Sequence, residues 1–485
     1  MKFQYKAGKG GIKIKFIAGS INLFDGKTLS IGIGQGDTLK PGLSKVSPLT
    51  RREFVLVMRK VVATAKANKV KSIAVIYANL KALTPKNMGD YETGRVAGTA
   101  FVMAGYEHNT YKTKPKEGWG LIEAVAITNA PMAAQEGFAD GLIIAGEVNA
   151  CRELANTPAG DMTPTLLVKA AKAAARSVGA GHKVTVKSLG LKEMTKLGMG
   201  AVIGVGKGAQ VQPEFIIMEY WGAGRHSMST GRRHGMSTKP VVLVGKGVTF
   251  DSGGLQAKGG DHMYEMHMDM SGGAAVIHSV VLAAKLTLKV NVVGLIPAVE
   301  NTTGPQSMRP GDILKSLSGK TIEILHTDAE GRVILADAIT YAKRYNPAIV
   351  ADAATLTGAA LTAFGEYANA FMTNNTSMIM DFMDLAEESG DYLWPMPLWK
   401  EYDYIVKGRF ADVPNIPATG NSRYAGVIGG GKFLEVFAKE LDCPWIHLDI
   451  APKMTAAPDE HLAKGAAGSP VRFFLALVEK YAEGK

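Results

Sequence analysis

The chain has 485 residues, is 46% hydrophobic and 20% charged, and carries a net charge of +11. That length exceeds a single compact core and implies two, or at most three, domains. Its two cysteines, Cys151 and Cys443, have no metal-motif spacing, which argues against a disulfide framework and for a reducing compartment. No apolar run reaches membrane-spanning length, so no membrane association is expected and the default location is the cytoplasm.

Taken in order, residues 1–150 read as an N-terminal α/β unit holding about +10 of the net charge. Strands are predicted over Ile12–Ile17, Ser72–Tyr77 and Ile122–Thr128, and helices over Arg51–Asn68 and Asp90–Tyr106, from apolar alternation and helical spacing. A long helix from about Pro131 to Asn156 is the expected connector to a second domain, residues 151–485. Thr163-Pro164 opens a further helix, with the threonine as cap and the proline in its first turn. Strands follow at Val184–Lys187, Glu214–Trp221 and Val241–Val244. The lysines at 2, 6, 9, 13, 15 and 27 form no compact motif and lack interleaved aromatics. They read as a solvated surface, with a nucleic-acid- or polyanion-binding scaffold as the alternative function.

Between Trp221 and Pro240 lies a loop with a short tandem repeat, Arg225-His-Ser-Met-Ser-Thr230 and Arg233-His-Gly-Met-Ser-Thr238. His226 and His234 have no third fixed ligand beside them, so the repeat reads as a surface insertion. Next comes Gly245-Lys-Gly-Val-Thr-Phe-Asp-Ser-Gly-Gly254, then Lys258 and, after a methionine-rich segment, Asp269. The Gly-Lys lacks the earlier glycine and the following Ser/Thr of a P-loop, which argues against nucleotide binding.

The densest chemistry is in His326-Thr-Asp-Ala-Glu-Gly-Arg332, a predicted strand-to-helix turn between Thr321–Leu325 and Val333–Tyr341. Asp251, Asp269, Asp328 and Glu330 together offer up to eight carboxylate oxygens, enough for two hard cations. Gathering four carboxylates without cations is severely unfavourable. Two divalent ions about 3.5–4 Å apart would remove that objection and activate a water for hydrolysis. Capping and turn roles for the acids, and solvation for Lys246 and Lys258, are the competing reading.

The stretches Gly245–Gly254 and Thr327–Arg332 closely resemble the leucyl (cytosol) aminopeptidase family of dinuclear-metal exopeptidases. Asn156-Thr-Pro158, Met162-Thr-Pro164, Arg309-Pro-Gly-Asp312, Ser318-Gly-Lys320, Ala354-Thr-Leu-Thr-Gly358, Arg423-Tyr-Ala-Gly426 and His447-Leu-Asp-Ile-Ala451 follow in family order, so the resemblance covers about residues 150–485. It implies a macro-like N-terminal α/β domain and a catalytic α/β domain with a central, mainly parallel sheet flanked by helices, assembled as a homohexamer. It also implies Asp251, Asp328 and Glu330 as ligands of one metal and Lys246, Asp251, Asp269 and Glu330 as ligands of the other, with zinc and manganese both reasonable. Lys258 would polarise the scissile carbonyl, and Arg332 would hold a bicarbonate as general base. Met266, Thr355, Gly358, Ala451 and Met454 would line an apolar pocket for a leucine- or methionine-like N-terminal residue of a peptide with a free α-amine.

Some positions depart from the family pattern. His326 stands where asparagine is usual and is expected to donate a different supporting hydrogen bond, and His267 replaces a basic residue near Asp269. Gln212-Pro-Glu214 is also atypical, and the repeat-bearing loop is longer than expected. The lysine among the ligands argues against a two-metal phosphoesterase.

Overall fold

The computed structural model describes residues 12–18, 23–24, 28–33, 48–179, 183–224, 239–418 and 424–484. His226 and His234 of the repeat, Arg423, and the lysines at 2, 6, 9 and 27 lie outside the described residues, as do the side chains of Lys13 and Lys15. The chain divides into two compact units, residues 1–149 with 456–464, and residues 150–455 with 465–485.

The first unit is built on a sheet in the order Leu23–Phe24, Thr28–Ile33, Ile12–Ala18, Ser72–Ile76, Ala124–Thr128. Its long strands pair in parallel, and only the short Leu23–Phe24 runs against its neighbour. Helix Arg51–Ala67 starts with a reciprocal capping box between Thr50 and Glu53. Phe54, Met58, Val61, Val62 and Ala65 of this helix recur at helical spacing and face the core with Ile73, Val75, Val125 and Ile127. Helix Asp90–Gly105 lies against the start of helix Met132–Ala155 closely enough that a Cβ at Gly94 would stand 2.0 Å from the Ala134 carbonyl oxygen, and one at Gly137 1.9 Å from that of Tyr91. The segment Ala456–Lys464 belongs to this unit: Leu462 packs on its core, and Glu460 approaches the buried Arg59 at 3.7 Å. No sequence signal marked that excursion.

The second unit carries a mixed sheet in the order Leu393–Pro395, Asn369–Thr373, Trp445–Asp449, Ile349–Ala354, Val241–Gly245, Asn291–Asn301, Glu214–Trp221, Val184–Leu189. Its centre is parallel: Trp445–Asp449, Ile349–Ala354, Val241–Gly245 and Asn291–Asn301 all run in the same direction. Antiparallel pairs flank them, between Asn291–Asn301 and Glu214–Trp221 on one side and between Asn369–Thr373 and Trp445–Asp449 on the other. The central strands read as near-continuous apolar runs because both faces are covered, the pattern expected of buried parallel strands. Helix Ser271–Lys285 packs against one face, buried almost throughout, and helices Glu330–Ala342 and Gly426–Ala438 pack together with the other. The architecture is the α/β one expected from sequence.

Two features of this frame fix the site. Asp337, fully buried in helix Glu330–Ala342, accepts the backbone N–H groups of Ala201 and Val202 at 3.0 Å and of Leu317 at 2.7 Å. One carboxylate thereby holds the first turn of helix Gly200–Gly206 and the Leu317 loop to the helix that carries Glu330 and Arg332. A three-stranded sheet, Ile313–Lys315 with Thr321–Glu323 and Val413–Pro414, leads into the turn before that helix.

Replacing Asp337 by alanine leaves three N–H groups unpaired, two of them buried and one half-buried, at a cost of about 3 kcal/mol. Thermal unfolding of Asp337→Ala is expected about 5 °C or more below wild type. Asp337→Asn, which keeps one carbonyl oxygen, should fall in between. An alanine variant that melts with the wild type would sink this account.

Candidate active site

Because the central strands are parallel, their carboxyl ends share one edge of the sheet, where functional loops of such folds gather. Lys246 directly follows Val241–Gly245, Asp251 ends Gly247–Asp251, Thr355 follows Ile349–Ala354, and Ala451 lies just beyond Trp445–Asp449. The chain jogs at Lys246, whose N–H donates to the Ala353 carbonyl at 3.0 Å and whose carbonyl accepts from Gly273 at 2.8 Å. Beyond the jog, Gly247–Asp251 continues along the second half of Asn291–Asn301. The start of helix Ser271–Lys285 comes so near that a Cβ at Gly272 would lie 2.1 Å from the Ala353 oxygen, and this approach sets Asp269 beside Lys246.

Asp328 and Glu330 come from the turn. The strand expected over Thr321–Leu325 ends at Glu323, and the helix expected from Val333 already begins at Glu330, with Asp328 just ahead of it. Buried Asn415 holds this turn open, a residue to which sequence reasoning gave no role. Its Oδ1 accepts from Leu325 N–H at 2.8 Å and His326 N–H at 3.2 Å, and its Nδ2 donates to the His326 carbonyl at 2.6 Å. Asn301 was missed as well: its Nδ2 donates to Asp251 Oδ1 at 2.8 Å and to the Thr327 carbonyl at 3.0 Å. Gln256 and Thr327 exchange hydrogen bonds at 2.8 and 2.9 Å, clasping the Lys258 loop to the turn. The only signal for these three was polarity inside otherwise apolar or turn sequence.

The charged groups converge. Lys246 Nζ lies 2.8 Å from both Asp269 Oδ2 and Glu330 Oε1 and donates to the Thr355 carbonyl at 3.0 Å. Lys258 Nζ lies 2.9 Å from Asp251 Oδ2 and also contacts Asp328. Asp269 Oδ1 accepts from the Thr355 hydroxyl at 2.6 Å. Donor atoms of Asp251, Asp328 and Glu330 all fall within 4.8 Å of one another. Burial pushes the Asp269 and Glu330 carboxyls up to about 7 and, with the Asp251 charge, Asp328 up to about 6. Burial opposes the charge of Lys246, but Asp269, Glu330 and Asp251 outweigh it and hold its pKa well above the ordinary value.

The residues fit divalent cations. Two ammonium groups leave four carboxylates with excess negative charge. Asp269 Oδ2, Asp328 Oδ1 and Glu330 Oε1 are also buried without a well-aligned hydrogen bond. Hard oxygen donors clustered in this way, with carboxyls that ionise reluctantly by themselves, are what a dication converts into a stable set.

A cavity of about 750 Å³ opens over this cluster. Lys246, Asp251, Lys258, Asp269, Asp328 and Arg332 line it together with Met266, Thr355, Gly358, Ala451 and Met454; Glu330 sits beneath, ion-paired to Lys246. The structure thus brings every site residue singled out from sequence to one place. Arg332, in the first turn of its helix, is buried with its Nε unpartnered, and burial lowers its pKa while Glu330 and Asp449 support the charge. Asp449 organises the far wall, accepting from the N–H groups of Leu356 at 3.1 Å and Ala451 at 3.3 Å and from the Thr357 hydroxyl at 2.7 Å. His326, expected as a donor, instead accepts: its Nδ1 takes the Asp328 N–H at 3.2 Å. Burial, with Lys258 and Arg332 nearby, lowers its pKa.

A carboxylate-rich centre at the carboxyl edge of a central parallel sheet, under a peptide-sized cavity, defines a metal-dependent hydrolase of the α/β class. Residues 149–475 match the catalytic domain of the cytosol aminopeptidase family, and the chain belongs to that family. A probable cytosol aminopeptidase of Azoarcus sp. (strain BH72) is 38% identical over 403 residues, 83% of this chain and 76% of that protein. Another, from Burkholderia pseudomallei (strain K96243), is 36% identical over 473 residues, covering 96% of this chain and 89% of the relative. Among solved structures, the bottromycin maturation enzyme BotP superposes with a TM-score of 0.81 at 25% identity, covering 98% of this chain and all of that one. A mutant tomato leucine aminopeptidase gives 0.78 at 28% identity, over 95% of this chain and 83% of the other. The protein is an aminopeptidase, a peptide hydrolase of a metal-dependent family. No helix among the described residues is long and apolar enough to cross a membrane.

Gly331 shows how tightly the centre is built, since a Cβ there would stand 2.7 Å from Lys246 Cε and 2.8 Å from its Nζ. A lysine tip can swing aside, so Gly331→Ala should fold with a near-normal melting temperature. It cannot do so and stay on Asp269 and Glu330. A fall of about tenfold to a hundredfold in metal affinity and in kcat/KM is expected, as for other changes that disturb the support of metal ligands. Wild-type activity in a folded Gly331→Ala protein would show that the Lys246 position is dispensable.

Proposed function

We propose that the chain removes leucine- or methionine-like N-terminal residues from peptides, with Lys246, Asp251, Asp269, Asp328 and Glu330 holding two divalent ions. The carrying observation is the cluster of four carboxylates gathered on only two lysines at one side of a cavity that is elsewhere largely apolar. Once bound, the ions would supply Lewis acidity, lowering the pKa of the attacking water and receiving the free α-amine of the substrate. Zinc and manganese both suit the mixed oxygen and nitrogen donor set.

The chain's own residues supply the rest. Lys246 must give up its proton to serve as a ligand, a change that cationic charge nearby favours. Lys258 reaches into the cavity as an ammonium and is placed to draw electron density from the scissile carbonyl and steady the oxygen as it gains negative charge. Arg332 keeps its proton even when buried, and its guanidinium, at the cavity lining, would hold an anion such as bicarbonate, which would supply a general base. Met266, Thr355, Gly358, Ala451 and Met454 would receive the N-terminal side chain, with Asp449 keeping the backbone of that wall in place. Selection of the chain end follows from the α-amine: an internal residue has none to offer.

A homohexamer in the cytoplasm belongs to the same proposal. Trp394, Trp399 and Phe410 are 55%, 63% and 80% exposed in the single chain, apolar surface of the sort that assembly covers.

Leucine p-nitroanilide and its N-acetylated form test the reading. The free amine should be cleaved at least about a hundredfold faster, with activity lost on chelation, restored by manganese or zinc, and absent in Asp328→Ala. Comparable cleavage of the acetylated compound, or chelator-resistant activity, would overturn it.

A further inference from the structure

His326 lines the cavity, yet none of the chemistry above uses it. Its backbone is pinned on both sides by Asn415, and its Nδ1 accepts the Asp328 N–H at 3.2 Å. An imidazole nitrogen that accepts carries no proton, so in the neutral ring the proton sits on Nε2. That N–H meets no acceptor among the described residues, and the residue lines the cavity.

Besides the Lys258 loop and the segment 424–429, two parts of the cavity lining matter here. One comes from the ends of the central sheet strands, where Thr355 and Ala451 lie and where the N-terminal side chain is proposed to bind. The other comes from the small three-stranded sheet and its turns, and presents His326 with Ile416 and Pro417. The carboxylate cluster lies at the base of the cavity, with Asp328 on the turn that carries His326. The cluster runs from Asp269, bonded to Thr355, to Asp328, whose N–H bonds to His326, so a peptide whose first residue lies at the Thr355 end has room for its second at the His326 end.

The geometry points to His326 as a specificity-determining residue for the second residue of the substrate, its Nε2–H selecting side chains that carry a hydrogen-bond acceptor, such as those of glutamine and glutamate. The inference rests on the proposed placement of the first residue. Ile416 and Pro417 supply contact area beside the ring but no side-chain donor. A site built around a polar group discriminates because an apolar competitor leaves that group unpaired.

Leu-Gln and Leu-Met dipeptides differ little in size and separate this effect from bulk. The wild type is expected to favour Leu-Gln in kcat/KM by about fivefold to tenfold, the range of one hydrogen bond. In His326→Phe, which keeps a ring without the donor, the ratio should fall toward one. Asparagine can accept the N–H two residues on through its own carbonyl oxygen, so His326→Asn retains the turn while drawing the donor back toward the backbone, and its ratio should fall as well. A general loss of activity cancels in the ratio. A ratio near one in the wild type, or an unchanged preference in both variants, overturns the role of His326 while leaving the aminopeptidase reading intact. Failure of the wild type to cleave any dipeptide with a free N-terminal leucine overturns the placement of the first residue, and this inference with it.

Discussion

Like charges brought together away from water repel strongly, and the catalytic unit is arranged around containing that repulsion. Asp251, Asp269, Asp328 and Glu330 share one buried region, and each reaches it from a different element: a strand end, the approach to a helix, a turn, and a helix start. Lys246 and Lys258 each span two of the acids. Around them, polar side chains fix what charge alone would push apart: Asn301 ties Asp251 to the Thr327 backbone, Thr355 holds Asp269, and Asn415 holds the turn before Asp328. The destabilisation stored in this cluster is tolerated because a large apolar frame surrounds it.

That frame also explains where the site is. Parallel strands deliver their following residues to one edge, so residues distant in sequence, such as Lys246, Thr355 and Ala451, become neighbours without long loops. Small residues then let the pieces close up. Gly272 admits the helix that positions Asp269, and Gly331 leaves room for the Lys246 tip over the start of the next helix. Two backbone positions without side chains thus decide where a lysine and two carboxylates meet.

Much of this was legible in the sequence, for identifiable reasons. The helices over Arg51–Ala67 and Pro164–Arg176 announce themselves by caps and apolar spacing, and the strand Glu214–Trp221 by its apolar, β-branched run. The charged residues of the centre stood out because two short stretches carry most of them. Asn301, Asn415 and Gln256 did not, because an amide that bonds backbone across 26 to 90 residues of separation leaves no local pattern. His326 was visible as an unusual residue, but the direction of its hydrogen bond depends on the turn geometry and could not be read from its identity. The early start of helix Glu330–Ala342 was hidden for a related reason: Glu330, Gly331 and Arg332 are charged or flexible residues whose burial comes from tertiary packing rather than local spacing.

The excursion of Ala456–Lys464 into the first unit bears on how the chain is made. Synthesis proceeds from the amino end, so a unit composed of a continuous stretch can finish folding once that stretch has emerged. Here the first unit lacks Leu462 and the Glu460 partner of buried Arg59 until the catalytic strands that precede them have been translated. Of the two units, the first is begun earlier yet stays unfinished longer than its sequence position suggests, and its final packing waits on a chain that has already passed through the catalytic strands.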